Sequence, residues 1–176
     1  NYDYENKYYF SASFRRDGSS RLSRESRWGD FWSVSGSWRI TSESFMENIK
    51  EVITDAKLRA SYGVNGTQPK DYYGYMGVYE FGYNYNGNGG SSEARFYNPS
   101  LKWEKNYATN IGIDLTLFNR LTVSAEWYNR ETKDLLMDKP ISAAVGVINS
   151  SGVANMLVNV GSMRNRGFEL ELKSTN

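Results

Sequence analysis

Side chains of alternating polarity recur along this chain over strand-sized lengths, and that period of two restricts the fold more than any other feature. Tyr8, Phe10, Ala12 and Phe14 alternate with Ser11, Ser13 and Arg15, with Tyr9 an amphipathic exception. Trp32, Val34, Gly36, Trp38 and Ile40 alternate with Ser33, Ser35, Ser37 and Arg39. Ala56, Leu58, Ala60, Tyr62 and Val64 oppose Lys57, Arg59, Ser61 and Asn65. A longer stretch sets Trp103, Tyr107, Ile111, Ile113, Leu115 and Leu117 against Glu104, Asn106, Asn110, Asp114 and Thr116. Leu121, Val123, Ala125 and Trp127 alternate with Thr122, Ser124, Glu126 and Tyr128, and Phe168, Leu170 and Leu172 with Glu169, Glu171 and Lys173. Successive strand side chains point to opposite sides, so each stretch predicts one apolar and one polar face. Six antiparallel strands are expected, at 7–16, 30–40, 55–65, 102–117, 121–137 and 159–173.

The connections sort by length. Those at 17–29, 66–101 and 138–158 are long and polar, whereas those at 41–54 and 118–120 are compact. An up-and-down meander puts successive connections at opposite ends of the sheet. The sorting therefore matches the long outer loops and short periplasmic turns of membrane barrels. Within 41–54, Ser44 and Glu47 have the spacing of a capping box. Phe45, Ile49, Val52 and Ile53 follow on one helical face, which predicts a short helix in this turn.

Mean hydropathy is −0.65 and no run approaches the length of an apolar helical span. That excludes helical insertion but not a barrel, whose strands dilute their hydropathy by alternation. Cys and His are both absent, which excludes a disulfide framework and removes the usual neutral-pH base and metal ligand. A net charge of +1 gives no reason to expect nucleic acid as a partner. The N-terminus lacks a basic-then-apolar leader pattern, so an exported chain is expected to have lost one or to start upstream. Two architectures fit the alternation: a soluble β-rich module and a transmembrane barrel wall. Trp32, Trp38, Trp103 and Trp127 lie toward strand ends on the apolar faces, where an interfacial aromatic girdle would sit, and this favours the barrel.

Several longer motifs carry a family resemblance. They are 8–20 (YYFSASFRRDGSS), 27–29 (RWG), 33–40 (SVSGSWRI), 57–69 (KLRASYGVNGTQP), 117–120 (LFNR) and 165–172 (NRGFELEL). Together, in this order, they resemble the SusC/RagA family of TonB-dependent outer-membrane transporters of Bacteroidetes. One departure is Trp32, where many relatives carry proline. The resemblance implies an all-β, antiparallel up-and-down transmembrane segment, about six strands of a 22-stranded barrel around a plug. The plug and the TonB-contacting N-terminal region have no counterpart in these residues, so residues 1–176 are expected to be a partial barrel. It also implies a SusD-like surface lipoprotein as partner, TonB reached through the missing N-terminal region, and outer-membrane lipid around the wall. The expected cargo is a glycan or a peptide, and no cofactor is implied.

Loop 66–101 is the candidate for contact with substrate or partner. Tyr72, Tyr73, Tyr75, Tyr79, Phe81, Tyr83 and Tyr85 crowd a glycine-rich polar stretch, and aromatic faces stack on sugar rings. The same rings could instead pack on one another. For a soluble carbohydrate-binding module, the alternative function, this loop would be the site. No catalytic constellation emerges. Glu169 and Glu171 share a strand face and could mimic a glycosidase pair, but a hydrated wall paired with Arg59 or Lys173 accounts for them as well. The stretches 17–20 (DGSS) and 87–90 (GNGG) lack the spacing or context of a calcium loop or a phosphate cradle.

Overall fold

A computed structural model describes residues 1–145 and 155–174. Seven strands form one antiparallel sheet in the order β1 (Tyr2–Tyr4), β2 (Tyr8–Gly18), β3 (Trp28–Arg39), β4 (Ile53–Thr67), β7 (Glu104–Leu117), β8 (Leu121–Lys133) and β11 (Ser162–Ser174). Two further hairpins stand apart, β5 (Val78–Tyr85) with β6 (Asn88–Arg95) and β9 (Leu136–Pro140) with β10 (Asn155–Asn159). The six long strands overlap the expected stretches, and β1 is a seventh that the short run of 2–4 did not announce. The strand expected at 159–173 starts at Ser162, because Gly161 turns the chain with a φ of 75° and Asn159 belongs to β10. The expected strand at 121–137 stops at Lys133, because Asp134 turns the chain with a φ of 57°. Leu136 and Met137 then belong to the β9–β10 hairpin.

Register rows show how the period of two becomes two faces. Phe10, Gly36, Ala60, Ile111, Trp127 and Phe168 lie side by side across six strands. The next residues, Ser11, Ser35, Ser61, Asn110, Tyr128 and Gly167, form a row on the opposite face. One face is therefore apolar over most of its area and exposed: Phe14, Ile111, Phe168 and Leu172 all stand clear of the chain's own packing. A soluble sheet would hide such a face against a second layer. The apolar band is not square to the rows. It reaches Phe14 on β2 but ends at Phe168 on β11, which lies in the row of Phe10.

The short-connection end of the sheet uses tight left-handed turns. Phe118 and Asn119, with φ of 52° and 55°, close β7 onto β8 through the bond from Arg120 N to Leu117 O. Glu5 and Asn6 do the same between β1 and β2. The connection at 40–52 is two short 3-10 turns, Ile40–Ser42 and Ser44–Ile49. The expected capping box does not form. Ser44 lies inside the turn, Glu43 takes the cap position, and no side chain caps it. The Glu43 carboxylate instead accepts hydrogen bonds from Tyr8 Oη (2.7 Å), Trp38 Nε1 (3.1 Å) and Lys7 Nζ (3.5 Å). These three donors pull its pKa below the ordinary carboxylate range, the Tyr8 and Trp38 bonds contributing most.

Candidate functional site

The three long connections meet at one end of the sheet and are locked together at their base. Leu22, Phe31, Leu101 and Trp103 form a buried cluster there, with Tyr75, Leu136 and Leu157 packed against it. Phe31 and Trp103 meet edge to face at 5.3 Å. The Phe31 ring lies over the backbone of Gly29 and Gly66, positions where a Cβ would collide with it. Polar bonds stitch the same base. Trp103 Nε1 donates to Arg27 O (2.9 Å), Arg21 to Pro69 O (2.8 Å) and Ser23 Oγ to Pro99 O (2.8 Å). Asn98 Nδ2 donates to Leu157 O (2.8 Å), and Asn159 exchanges bonds with both Lys102 N and Lys102 O. Carbonyls of one loop are thus satisfied by side chains of another.

This packing sorts the aromatic residues. Trp103 is 8% exposed and inside the cluster, so its place in a lipid-facing girdle is corrected: β7 begins at Glu104 and the apparent alternation at 103 lies outside the strand. Trp32 and Trp127 are exposed on the apolar face, and Trp38 lies on it stacked on Tyr8 at 6.3 Å. Tyr75 packs on the cluster and is not presented outward. Tyr72 is covered on one side by the Arg21 guanidinium at 4.3 Å. Tyr73 and Tyr79 stand open, as does Phe81 at 79% exposure. Tyr83 donates to Glu80 Oε2 (3.2 Å), and burial together with that carboxylate raises its pKa. The side chain of Tyr85 lies outside those the structure describes, as do residues 146–154 of the expected loop 138–158.

The β5–β6 hairpin replaces what the sequence pattern left as open loop. Its signal was present, because Asn86-Gly87 between alternating residues is the strongest short hairpin cue. Both residues adopt positive φ, 51° and 81°, and Gly87 N is held by Asn84 Oδ1 at 2.9 Å. A register shift at Gly82 then twists the hairpin beside Phe81. The result is a projecting ribbon bearing Tyr79 and Phe81 on a braced base.

The polar face carries a different device. Arg59, Gly112 and Glu126 share a row, and the guanidinium lies across Gly112, where a Cβ would sit 2.8 Å from its Cζ. It reaches Asp114 at 3.1 Å and Glu126 at 2.5 Å, so its partners are these and not Glu169 or Glu171. Glu169 lies beside Glu126 in the next strand. The carboxylates of this wall are thus divided between an Arg59 bridge and open water, without the isolated pair that acid–base hydrolysis needs. Ser13 and Ser33 bond across strands at 2.7 Å, and Thr132 donates to Asn106 at 2.7 Å. A concavity of about 600 Å³ opens on this face, lined by Tyr9, Ser35, Ser37, Lys57 and Arg59. Among the described residues, no group of three or more acidic side chains converges as a metal site.

Comparison with known proteins agrees with this architecture. The family described as "TonB dependent receptor-like, beta-barrel" matches residues 1–175. "TonB-dependent receptor P39" of Formosa agariphila is 38% identical over 97% of the chain, and "TonB-dependent receptor SusC" of Bacteroides thetaiotaomicron 34% over 99%. The chain spans only 16% and 18% of those two proteins. The solved structure of the RagAB peptide importer in its closed-closed state superposes with a TM-score of 0.85 at 31% identity, over 98% of this chain and 18% of that one.

Proposed function

Because this chain belongs to the TonB-dependent receptor-like β-barrel family, a family of outer-membrane transporters, we propose that it forms wall and outer loops of a SusC-like importer of glycans or oligopeptides. The observation that carries this reading is the exposed apolar face of a sheet whose other face is polar. Only a bilayer satisfies both faces of such a sheet without a second protein layer. In this reading Trp32 and Trp127 mark one lipid interface and Trp38 with Tyr8 the other. The long-loop end faces outside, where the β5–β6 ribbon presents Tyr79 and Phe81, with Tyr73 beside its base. These rings would contact substrate or a SusD-like lipoprotein lid, and TonB would supply energy through a region outside this chain.

Uptake by the whole transporter tests the proposal. Cells lacking the gene and complemented cells are given panels of labelled oligosaccharides and oligopeptides, with and without a collapsed proton gradient. The expected result is gene-dependent, gradient-dependent uptake of one class. Uptake that survives gene deletion, or that ignores the gradient, would sink it. Tyr73→Ala with Tyr79→Ala should lower uptake or lid retention severalfold, and unchanged values of both would remove these rings from the site. A soluble carbohydrate-binding module is disfavoured by the same exposed apolar face, which requires detergent or lipid.

A further inference from the structure

Beyond the apolar band, the outer side of the sheet is not uniformly charged. On β2 and β3 the first charges past Phe14 and Trp32 are Arg16 and Asp30, which pair at 3.5 Å, with Arg16 over the Trp28 ring. On β7, β8 and β11 the balance differs. Register places Lys105, Lys133, Glu131, Arg164 and Arg166 on the same face as Ile111, Trp127 and Phe168. That is four cations against one carboxylate. Glu131 is shared by Arg164 (3.3 Å) and Lys133 (3.8 Å), so it neutralises one charge at most. Among the described residues Lys105 and Arg166 have no ion-pair partner. The Lys133 ammonium lies 5.2 Å over the Tyr107 ring, which holds it near the edge of the band.

Height along the strands matters as much as sign. Arg166 is two residues from Phe168, about 7 Å along the strand, and Arg164 is four, about 14 Å. These cations therefore sit where headgroups begin, over rings that lie among acyl chains. Guanidinium forks and an ammonium in that arrangement match phosphate, bidentately for Arg and as a point charge for Lys. We propose that this face of β7, β8 and β11 is a binding site for the phosphorylated sugar headgroup of an outer-leaflet glycolipid. Its acyl chains would lie on Trp127, Phe168 and Leu170. The choice of leaflet rests on the reading that the long-loop end faces outside. The net charge argues against a zwitterionic lipid, which would leave the excess cations unmatched.

The experiment uses the full-length transporter in detergent, with native mass spectrometry titrating monophosphorylated lipid A and its phosphate-free form. The phosphorylated lipid is expected to bind at least tenfold more tightly. K133Q/R164Q/R166Q should weaken it by about 100-fold, since each cation near a lipid surface is worth roughly 1 kcal/mol and 1.4 kcal/mol is tenfold. R16Q/D30N, on the neutral side, should leave binding unchanged. Heat-modifiable gel mobility checks that each variant is folded. Equal binding of the two lipids by the wild-type protein overturns the proposal without any variant, and so does unchanged binding by a folded triple variant. Orientation is read separately, by labelling Asn88→Cys at the ribbon tip with an impermeant maleimide on intact cells. Labelling supports the outer leaflet, whereas a tip reached only after lysis overturns that assignment whatever the lipid result.

Discussion

Replacing Trp103 with alanine removes the indole that holds three loops to the top of the sheet. The ring is 8% exposed, meets Phe31 edge to face and donates to Arg27 O. Truncating a buried Trp costs about 3–5 kcal/mol in transfer and cavity terms, and a lost hydrogen bond adds about 1 kcal/mol where water can reach the carbonyl. That loss falls on the loop base, because the strand ladder closes through backbone pairing that Trp103 does not share. Opening of segment 19–27 should therefore become easier by about 4 kcal/mol, or roughly 1000-fold in amide exchange. Ser19 N, bonded to Arg27 O at 3.0 Å, and Leu22 N, bonded to Ser19 O at 3.4 Å, are the reporters. Hydrogen exchange of the full-length protein in nanodiscs reads both, with Ile111 and Val123 amides as strand references. Trp103→Phe, which keeps a ring but not the N–H, should ease opening by only about 1–2 kcal/mol, roughly 5- to 30-fold in exchange. Equal loss of protection in strands and loop would refute the division of labour between loop base and ladder. So would a loop whose exchange rate does not move.

The two faces predict opposite tolerance of charge at adjacent positions: Val34→Arg should cost about 2–4 kcal/mol of stability in lipid vesicles, and Ser35→Arg under about 1 kcal/mol. Similar costs measured by reversible denaturant unfolding would contradict the face assignment. Gly112→Ala should displace the Arg59 guanidinium from Glu126, leaving the carboxylates of the wall unneutralised; a lowered denaturation midpoint, rescued in part by Glu126→Gln, is the expected signature. Glu43 titrates below its usual value of 4.5 in the folded chain, so its hydrogen bonds stabilise fully above that value and are lost as pH falls through the lowered one. Acid should consequently weaken the wild-type turn more than Glu43→Gln, and parallel pH profiles of the two would contradict this.

Strands were legible because one apolar residue in two, maintained for about ten residues, fits a two-faced strand and matches no helical stripe. The runs from Phe10 to Phe14 and from Phe168 through Leu170 to Leu172 need no tertiary information to be assigned a face. The loops were harder for a physical reason. Their order comes from contacts between segments far apart in sequence, such as Ser23 with Pro99 and Asn98 with Leu157. Trp103 and Tyr75 illustrate the cost: each looks amphipathic and available in its local context, and each is withdrawn into a cluster built by Leu22 and Leu101. The Ser44 capping box failed because Glu43 took the cap position and joined strand ends through Tyr8 and Trp38. The β5–β6 hairpin, by contrast, was written locally in Asn86-Gly87, and the crowd of tyrosines around it masked the cue.

The oblique course of the apolar band across the register rows has a geometric consequence. From β2 to β11 its upper edge drops from the row of Phe14 to the row of Phe10 while crossing five strand-to-strand steps. At about 3.4 Å per residue and about 4.8 Å per step, that slope is close to 30°. Lipid must lie level, so the strands lean from the membrane normal by about that angle, near the lower end of what closed membrane barrels use. Residues paired in the ladder then do not share a depth. Tyr62 and Arg166 occupy one row, yet the first lies at the edge of the apolar band while the second stands two residues beyond it.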